Sequence, residues 1–130
     1  LGIKMLHNEY DHIILLAHGS PDPLWKKPFE ALYEQAVEFY GSDHSSLAYM
    51  ELTTPTLEDV VGQLDQKIKR VAVLPLFFAV GRHLRQDVPA QIDALQNEHL
   101  RIDLLPPIGD DELVKQAMYT AIARHLGREE

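Results

Sequence analysis

The sequence predicts an α/β domain of three layers (α/β/α), with a four-stranded parallel sheet in the order 2-1-3-4 and a flavodoxin-like arrangement. Three observations carry that expectation. Short apolar runs alternate with longer stretches of helical periodicity, the pattern of repeated β-α units rather than of hairpins. The chain has 130 residues, the length of one such domain. Right-handed crossovers in so short a chain favour placing strands one and three side by side.

The elements follow in order. Ile13-Ile14-Leu15-Leu16-Ala17 reads as the first strand, stopped by Gly19, Pro21 and Pro23. Phe29, Leu32, Tyr33, Ala36, Val37 and Tyr40 recur at helical spacing. They predict an amphipathic helix over residues 24–40, with Pro28 in its first turn and Gly41 at its end. Residues 47–52 form the second strand, and Glu51 lies at its end. Thr56 caps the next helix, which bears Leu57, Val60, Val61, Leu64 and Ile68. Asp59, three residues after Thr56, completes a capping-box pattern.

Residues 71–74 are the third and most apolar strand, and Pro75 should end ladder pairing on one side. A loop over residues 81–87 leads to a weaker helix with Val88, Ile92 and Leu95, reaching Asn97. Residues 101–105 alternate, which suits an edge strand. Pro106-Pro107-Ile108-Gly109 turns the chain into a last helix carrying Leu113, Val114, Ala117, Met118, Ala121, Ile122 and Leu126. The domain spans residues 13–126. Residues 1–12, mixed and polar, read as an N-terminal extension.

Composition excludes several functions. The chain has no cysteine, so disulfides and thiolate metal sites are excluded, and a reducing cytoplasm is compatible. Any transition metal must be held by His, Asp or Glu. A net charge of −8 argues against nucleic acid and against an anionic membrane surface as partner. No apolar run approaches the roughly 20 residues of a membrane helix, and residues 1–12 lack a signal-peptide layout. Dinucleotide-binding, Walker and nucleophile-elbow motifs are missing.

What remains is a pair of histidines. His18 follows the first strand, and His83 follows the third inside Gly81-Arg82-His83-Leu84-Arg85. In an open parallel sheet, ligands bind beyond the carboxyl ends of the strands where the strand order reverses. In the order 2-1-3-4 that point lies between strands one and three. Both imidazoles therefore reach one crevice, with Glu51 beside them from strand two. Neutral imidazole binds divalent transition metals and accepts protons near neutral pH. A lone histidine after a strand is commonly structural; the shared position lifts this pair above that reading. Arg82 and Arg85, with Lys26 and Lys27 further off, add positive charge suited to carboxylates. Phe77, Phe78, Val80 and Leu84 offer an apolar wall for a flat ligand. The other five histidines, His7, His12, His44, His99 and His125, read as solvated or capping residues.

At these residues the chain resembles a known family. Ala17-His18-Gly19-Ser20, Glu51 with Pro55 shortly after, and Pro75-Leu76-Phe77 running into Gly81-Arg82-His83-Leu84-Arg85-Gln86-Asp87-Val88-Pro89 look like the CbiX-type sirohydrochlorin chelatases. Pro107-Ile108-Gly109 matches the closing segment of that family. The resemblance runs over residues 13–126 and is similar to the short form. It implies insertion of a divalent metal (cobalt, iron or nickel) into sirohydrochlorin, a tetrapyrrole precursor of cobalamin and siroheme. It implies no tightly bound cofactor, the metal being a substrate, and pairing as a homodimer. It implies His18 and His83 as metal-binding residues, with His18 also the proton acceptor and Glu51 as the nearest catalytic carboxylate. It assigns Phe78, Ala79, Val80, Gly81, Arg82 and Arg85 to tetrapyrrole contact. Thr54 falls where some members carry a substrate-contacting Glu, and Val80 replaces a more polar residue.

Two other readings stay open from the residues. One is a non-catalytic relative that carries or senses tetrapyrrole or metal. The other is a flavodoxin-like interaction module whose histidines are structural.

Overall fold

The computed structural model describes residues 9–127, excepting the side chain of His83. Four strands, β1 (His12–Ala17), β2 (Ser45–Tyr49), β3 (Arg70–Pro75) and β4 (Arg101–Leu104), alternate with four helices. These are α1 (Pro23–Tyr40), α2 (Leu57–Gly62), α3 (Arg82–Leu95) and α4 (Glu112–His125). A 3-10 turn, Ile108–Asp110, precedes α4. The sheet is parallel throughout, in the order β2-β1-β3-β4. Fold class and strand order are those the sequence predicts.

Local chemistry explains the helix starts. Asp22 caps α1 by accepting from the Leu24 amide at 2.9 Å, and Pro23 takes the first helical position. Thr56 and Asp59 form a complete capping box on α2. Asp111 caps α4 through the Leu113 amide.

The core lies on one face of the sheet. Ile14 and Leu16 of β1 and Val71 and Val73 of β3 are fully buried. They pack against Leu57 and Val60 of α2 and Val88 and Ile92 of α3. Each such side chain contributes roughly 1.5–3 kcal/mol. Coverage of the other face is looser. α1 lies along β2 yet has no fully buried residue, and neither does α4. Leu32, Phe39, Leu113, Tyr119 and Ile122 on these two helices, and Leu126 capping α4, remain exposed.

Several boundaries differ from the sequence expectation. Pro28 sits in the second turn of α1, because the Asp22 cap starts the helix earlier. α2 ends at Gly62; the Asp65 side chain then accepts from the Lys67 amide, a local turn that competes with helix. Leu64 and Ile68 still pack on the core from that turn. Residues 82–87 belong to α3 rather than to a loop. α3 stops at Leu95, so His99 lies in a turn, where the Asn97 side-chain oxygen Oδ1 accepts from the His99 and Leu100 amides. β2 closes at Tyr49, leaving Glu51 in the following loop. At Pro75, the β3–β4 ladder closes at the Val73–Leu104 pair while β1 pairing continues to Leu16–Pro75. No helix among the described residues is long and apolar enough to cross a membrane.

His12 corrects the expectation of a solvated residue in an extension. It begins β1 and is only 5% exposed. Its Nδ1–H donates to the Asp43 carbonyl at 3.1 Å, and Nε2 accepts from the Ser46 hydroxyl at 2.7 Å. That pairing suits the neutral ring. Burial, chiefly, pushes its pKa below the ordinary 6.5; the Asp43 contact opposes this, and neighbouring His44 adds to it. The unfolded chain therefore binds a proton near pH 6.5 that the folded chain refuses. Stability is complete above that pH and falls as pH drops from there to the folded value. Thermal melts from about pH 7 to about pH 5 should show this loss. His12→Gln should lower the melting temperature at pH 7 and flatten the slope below it; an unchanged slope would contradict the assignment.

Candidate functional site

His18 is the residue after β1, held at a backbone position fixed from several sides. The Leu76 amide donates to the Leu16 carbonyl at 2.8 Å, and the Met50 amide to the Ala17 carbonyl at 2.9 Å. The strand before His18 is thus bonded to both neighbours up to its last residue. The Trp25 indole N–H donates to the His18 carbonyl at 2.9 Å. The imidazole stacks on Phe77, with centroids 4.4 Å apart and planes at 26°. Its Nδ1 lies 3.3 Å from Glu51 Oε1.

That contact sets the tautomer. A carboxylate only accepts, so in the neutral ring Nδ1 carries the hydrogen and Nε2 keeps its lone pair. Metal-ligating histidines have this arrangement, with a carboxylate behind the ring. Both side chains stay accessible, 40% exposed for His18 and 44% for Glu51.

Glu51 reaches His18 because two loops touch. A Cβ on Gly19 would lie 1.6 Å from the Glu51 carbonyl oxygen, so only glycine permits this approach. Thr53 ties the same loops together. Its Oγ1 accepts from the Ser20 amide at 3.0 Å and donates to the Ser20 carbonyl at 2.9 Å. Between Glu51 and Thr53, Leu52 takes a φ of 65°, a left-handed conformation disfavoured for a bulky side chain.

The residues after β3 are framed separately. Phe78 is 75% exposed, Ala79 is exposed and Val80 is half-buried. A Cβ on Gly109 would meet the Phe78 carbonyl oxygen at 2.0 Å, and the Gly109 amide donates to the Phe77 carbonyl at 3.0 Å. The turn before α4 thus pins this segment from behind. Gly81 has an ordinary φ of −70°, so its role is not an unusual backbone angle. Nothing lies within 4 Å of its absent Cβ, which leaves the backbone open to a ligand.

Arg82, His83 and Arg85 occupy the first turns of α3, whose start receives no side-chain cap. A helix start without a side-chain cap and two guanidinium groups beside it suit a carboxylate. The His83 side chain lies outside the described residues. Phe77, Ala79, Val80, Leu84 and Arg85 line a largely apolar cavity of about 530 Å³ under this segment. Phe77 joins that cavity to the His18 ring.

The structure brings His18 and Glu51 together and places residues 78–85 along the neighbouring rim. Thr54 lies elsewhere, in a crevice of about 340 Å³ with Lys26, Glu30 and Tyr33 along α1 and β2. Among the described residues no three His, Asp or Glu side chains converge on a metal. Glu51 stands behind the His18 ring rather than beside it as a further ligand. Sequence reasoning missed the stacking of Phe77 on His18, the Trp25 bond, the Thr53 clip and the close contacts of Gly19 and Gly109. No periodicity announces contacts between loops.

The chain as a whole is similar to known proteins. The CbiX family model matches residues 12–125. The chain belongs to the CbiX family. A solved CbiX protein from Marinobacter aquaeolei VT8, named for cobalamin (vitamin B12) biosynthesis, is 42% identical with a TM-score of 0.77, over 89% of this chain and 97% of that one. The sirohydrochlorin cobaltochelatase of Saccharolobus solfataricus is 27% identical over 121 residues, 82% of this chain and 88% of that protein. One from Methanopyrus kandleri is 27% identical over 81 residues, 62% of this chain and 57% of that protein. The CbiX match begins at His12, so that buried histidine falls inside the family's region.

The Gly19 contact gives this CbiX chain a sharp test. Gly19→Ala forces the two loops apart, at a cost of about 1–3 kcal/mol. The variant should melt at lower temperature and shift the emission of Trp25, the single tryptophan, which is bonded to the His18 carbonyl. Wild-type stability and emission would contradict the close approach.

Proposed function

We propose that this CbiX protein inserts cobalt into sirohydrochlorin. Family membership and the cobaltochelatase relatives support the activity. One geometric observation supports the assignment of roles: the Glu51 carboxylate behind His18 Nδ1, which leaves Nε2 as a donor at the open rim. Iron and nickel are among the other metals this donor chemistry suits.

The reading gives each group a task. Cobalt is held weakly by His18 Nε2 together with His83, since a closed four-ligand site would not release it. The macrocycle lies at the rim against Phe78 and Ala79, its carboxylates toward Arg82, Arg85 and the start of α3. The Phe77–Val80 segment supplies apolar contact along its edge, with Gly81 as a flanking contact; Thr54, in the separate crevice along α1, is not part of this contact. Nε2 has one lone pair, so His18 holds the metal or accepts a proton, never both. As cobalt moves onto the ring nitrogens, Nε2 is freed and takes one departing pyrrole proton, while water takes the other. No resident cofactor is part of this reaction. A cysteine-free chain supports a cytoplasmic setting.

The test is multiple turnover with sirohydrochlorin and Co²⁺, followed by absorbance. The wild-type protein should metallate well beyond one equivalent and faster than the uncatalysed reaction. His18→Ala and His83→Ala should each lower the rate by roughly tenfold or more. A spectral shift that stops at one equivalent would instead favour a carrier. Full rates in both variants would remove the histidines from the reaction.

The reading also includes a homodimer. Tyr119 and Ile122 on α4 and Leu126 at its C-terminal cap are exposed at helical spacing, which supports a second copy covering them. Light scattering at micromolar concentration should give a dimer mass, and Ile122→Glu should give a monomer. A monomeric wild-type protein would rule the dimer out.

A further inference from the structure

We propose that Thr53 is a positioning residue that holds Glu51 behind His18 and so fixes the metal-accepting nitrogen; the proposal rests on the chelatase reading above. Thr53 does not line the rim cavity. It acts on the two loops that carry the pair. Its hydroxyl uses both of its capacities on one residue, accepting from the Ser20 amide and donating to the Ser20 carbonyl. The bonds span residues 20 and 53, just outside the His18–Glu51 pair at 18 and 51. The two cross-links therefore close one short frame, with the Gly19–Glu51 backbone contact between them.

The backbone shows why a clip is needed. Leu52, between Glu51 and Thr53, holds a φ of 65° with its side chain 75% exposed. A bulky residue leaves that region unless its neighbours hold it there. Leu52 has little burial to anchor it, so the restraint comes from either side: the Gly19 contact on Glu51 and the paired bonds on Thr53. Without the hydroxyl, Leu52 can relax toward an extended backbone. The Glu51 carboxylate then swings away from Nδ1. His18 loses the group that orients its ring and fixes its tautomer, and groups of this kind typically change metal affinity or activity by about 10–100-fold.

The experiment compares Thr53→Val, which keeps the shape and removes the hydroxyl, with Thr53→Ser, which keeps the hydroxyl. Two readouts are used: Co²⁺ titration followed by quenching of Trp25, and steady-state cobalt insertion. Thr53→Val should weaken Co²⁺ binding roughly tenfold and lower kcat to a similar degree, leaving KM for sirohydrochlorin within about twofold. Thr53→Ser should restore both to within about threefold of wild type. In a Glu51→Gln background the Thr53→Val effect on Co²⁺ affinity should shrink to about twofold, because the two residues act through one another.

Wild-type affinity in Thr53→Val would overturn the proposal. So would a serine variant as impaired as valine, a rise in KM with kcat unchanged, or an undiminished effect in the Glu51→Gln background. If the wild-type protein does not turn over at all, the chelatase reading fails. The Co²⁺ titration series still decides the role of Thr53. Should Thr53→Val fail to fold, Thr53→Ala in the same titrations replaces it.

Discussion

The rim of this protein depends on two stretches of backbone lying in contact. Residue 19 has no side chain, and the carbonyl of Glu51 occupies the space where one would be. That contact brings the end of β1 and the loop after β2 together, although 33 residues separate His18 from Glu51 in sequence. Parallel β1–β2 pairing ends two residues earlier, at Ala17–Tyr49, so the loops leave the sheet side by side and in register. Gly109 does the corresponding task on the other side, where the turn before α4 closes on Phe78. The groups at the rim thus owe their geometry to backbone proximity more than to their own side-chain packing.

Packing divides the molecule into unequal halves. The face under α2 and α3 holds the dense cluster around Ile14, Leu16, Val71 and Val73. The face under α1 and α4 holds helices with no fully buried residue. β1 and β3, which lead to His18 and Phe77, are the two central strands. The site therefore grows from the best-packed part of the sheet. At the opposite end of β1, His12 and the Asp11 carboxylate tie the strand to its neighbours. Asp11 accepts from the Lys69 and Arg70 amides at 2.9 and 3.0 Å, and those bonds, the Lys69 bond foremost, hold its pKa below the ordinary carboxylate value. One end of the strand is latched, and the other presents chemistry.

The architecture was legible in the sequence because hydrophobic periodicity and crossover handedness report it directly. The apolar runs at residues 13–17 and 71–74 fall on the central strands, and the strand order followed from chain length and handedness. The rim position of His18 was legible for the same reason: a residue after a strand has one place to go. Boundaries were less legible where a side chain intervenes locally. Asp65 and Asn97 end helical patterns that their apolar neighbours would continue. His12 misled because its burial comes from Asp43 and Ser46, partners that no spacing rule connects to it. Thr53 and Gly19 were invisible as partners, since their meaning lies in a contact between loops. Thr54, assigned by resemblance, lines a different crevice from the His18 rim.

The stacking of His18 on Phe77 has a further consequence. Phe77 is 6% exposed and shares contacts with both the imidazole and the apolar cavity below residues 78–85. A ring held by a neighbour's flat face can slide in its plane but tilts poorly. The Phe77 face and the Glu51 carboxylate at one edge therefore restrain the imidazole from two directions. Phe77 thus belongs at once to the wall of the cavity and to the support of the imidazole, so a change of side chain at position 77 alters both.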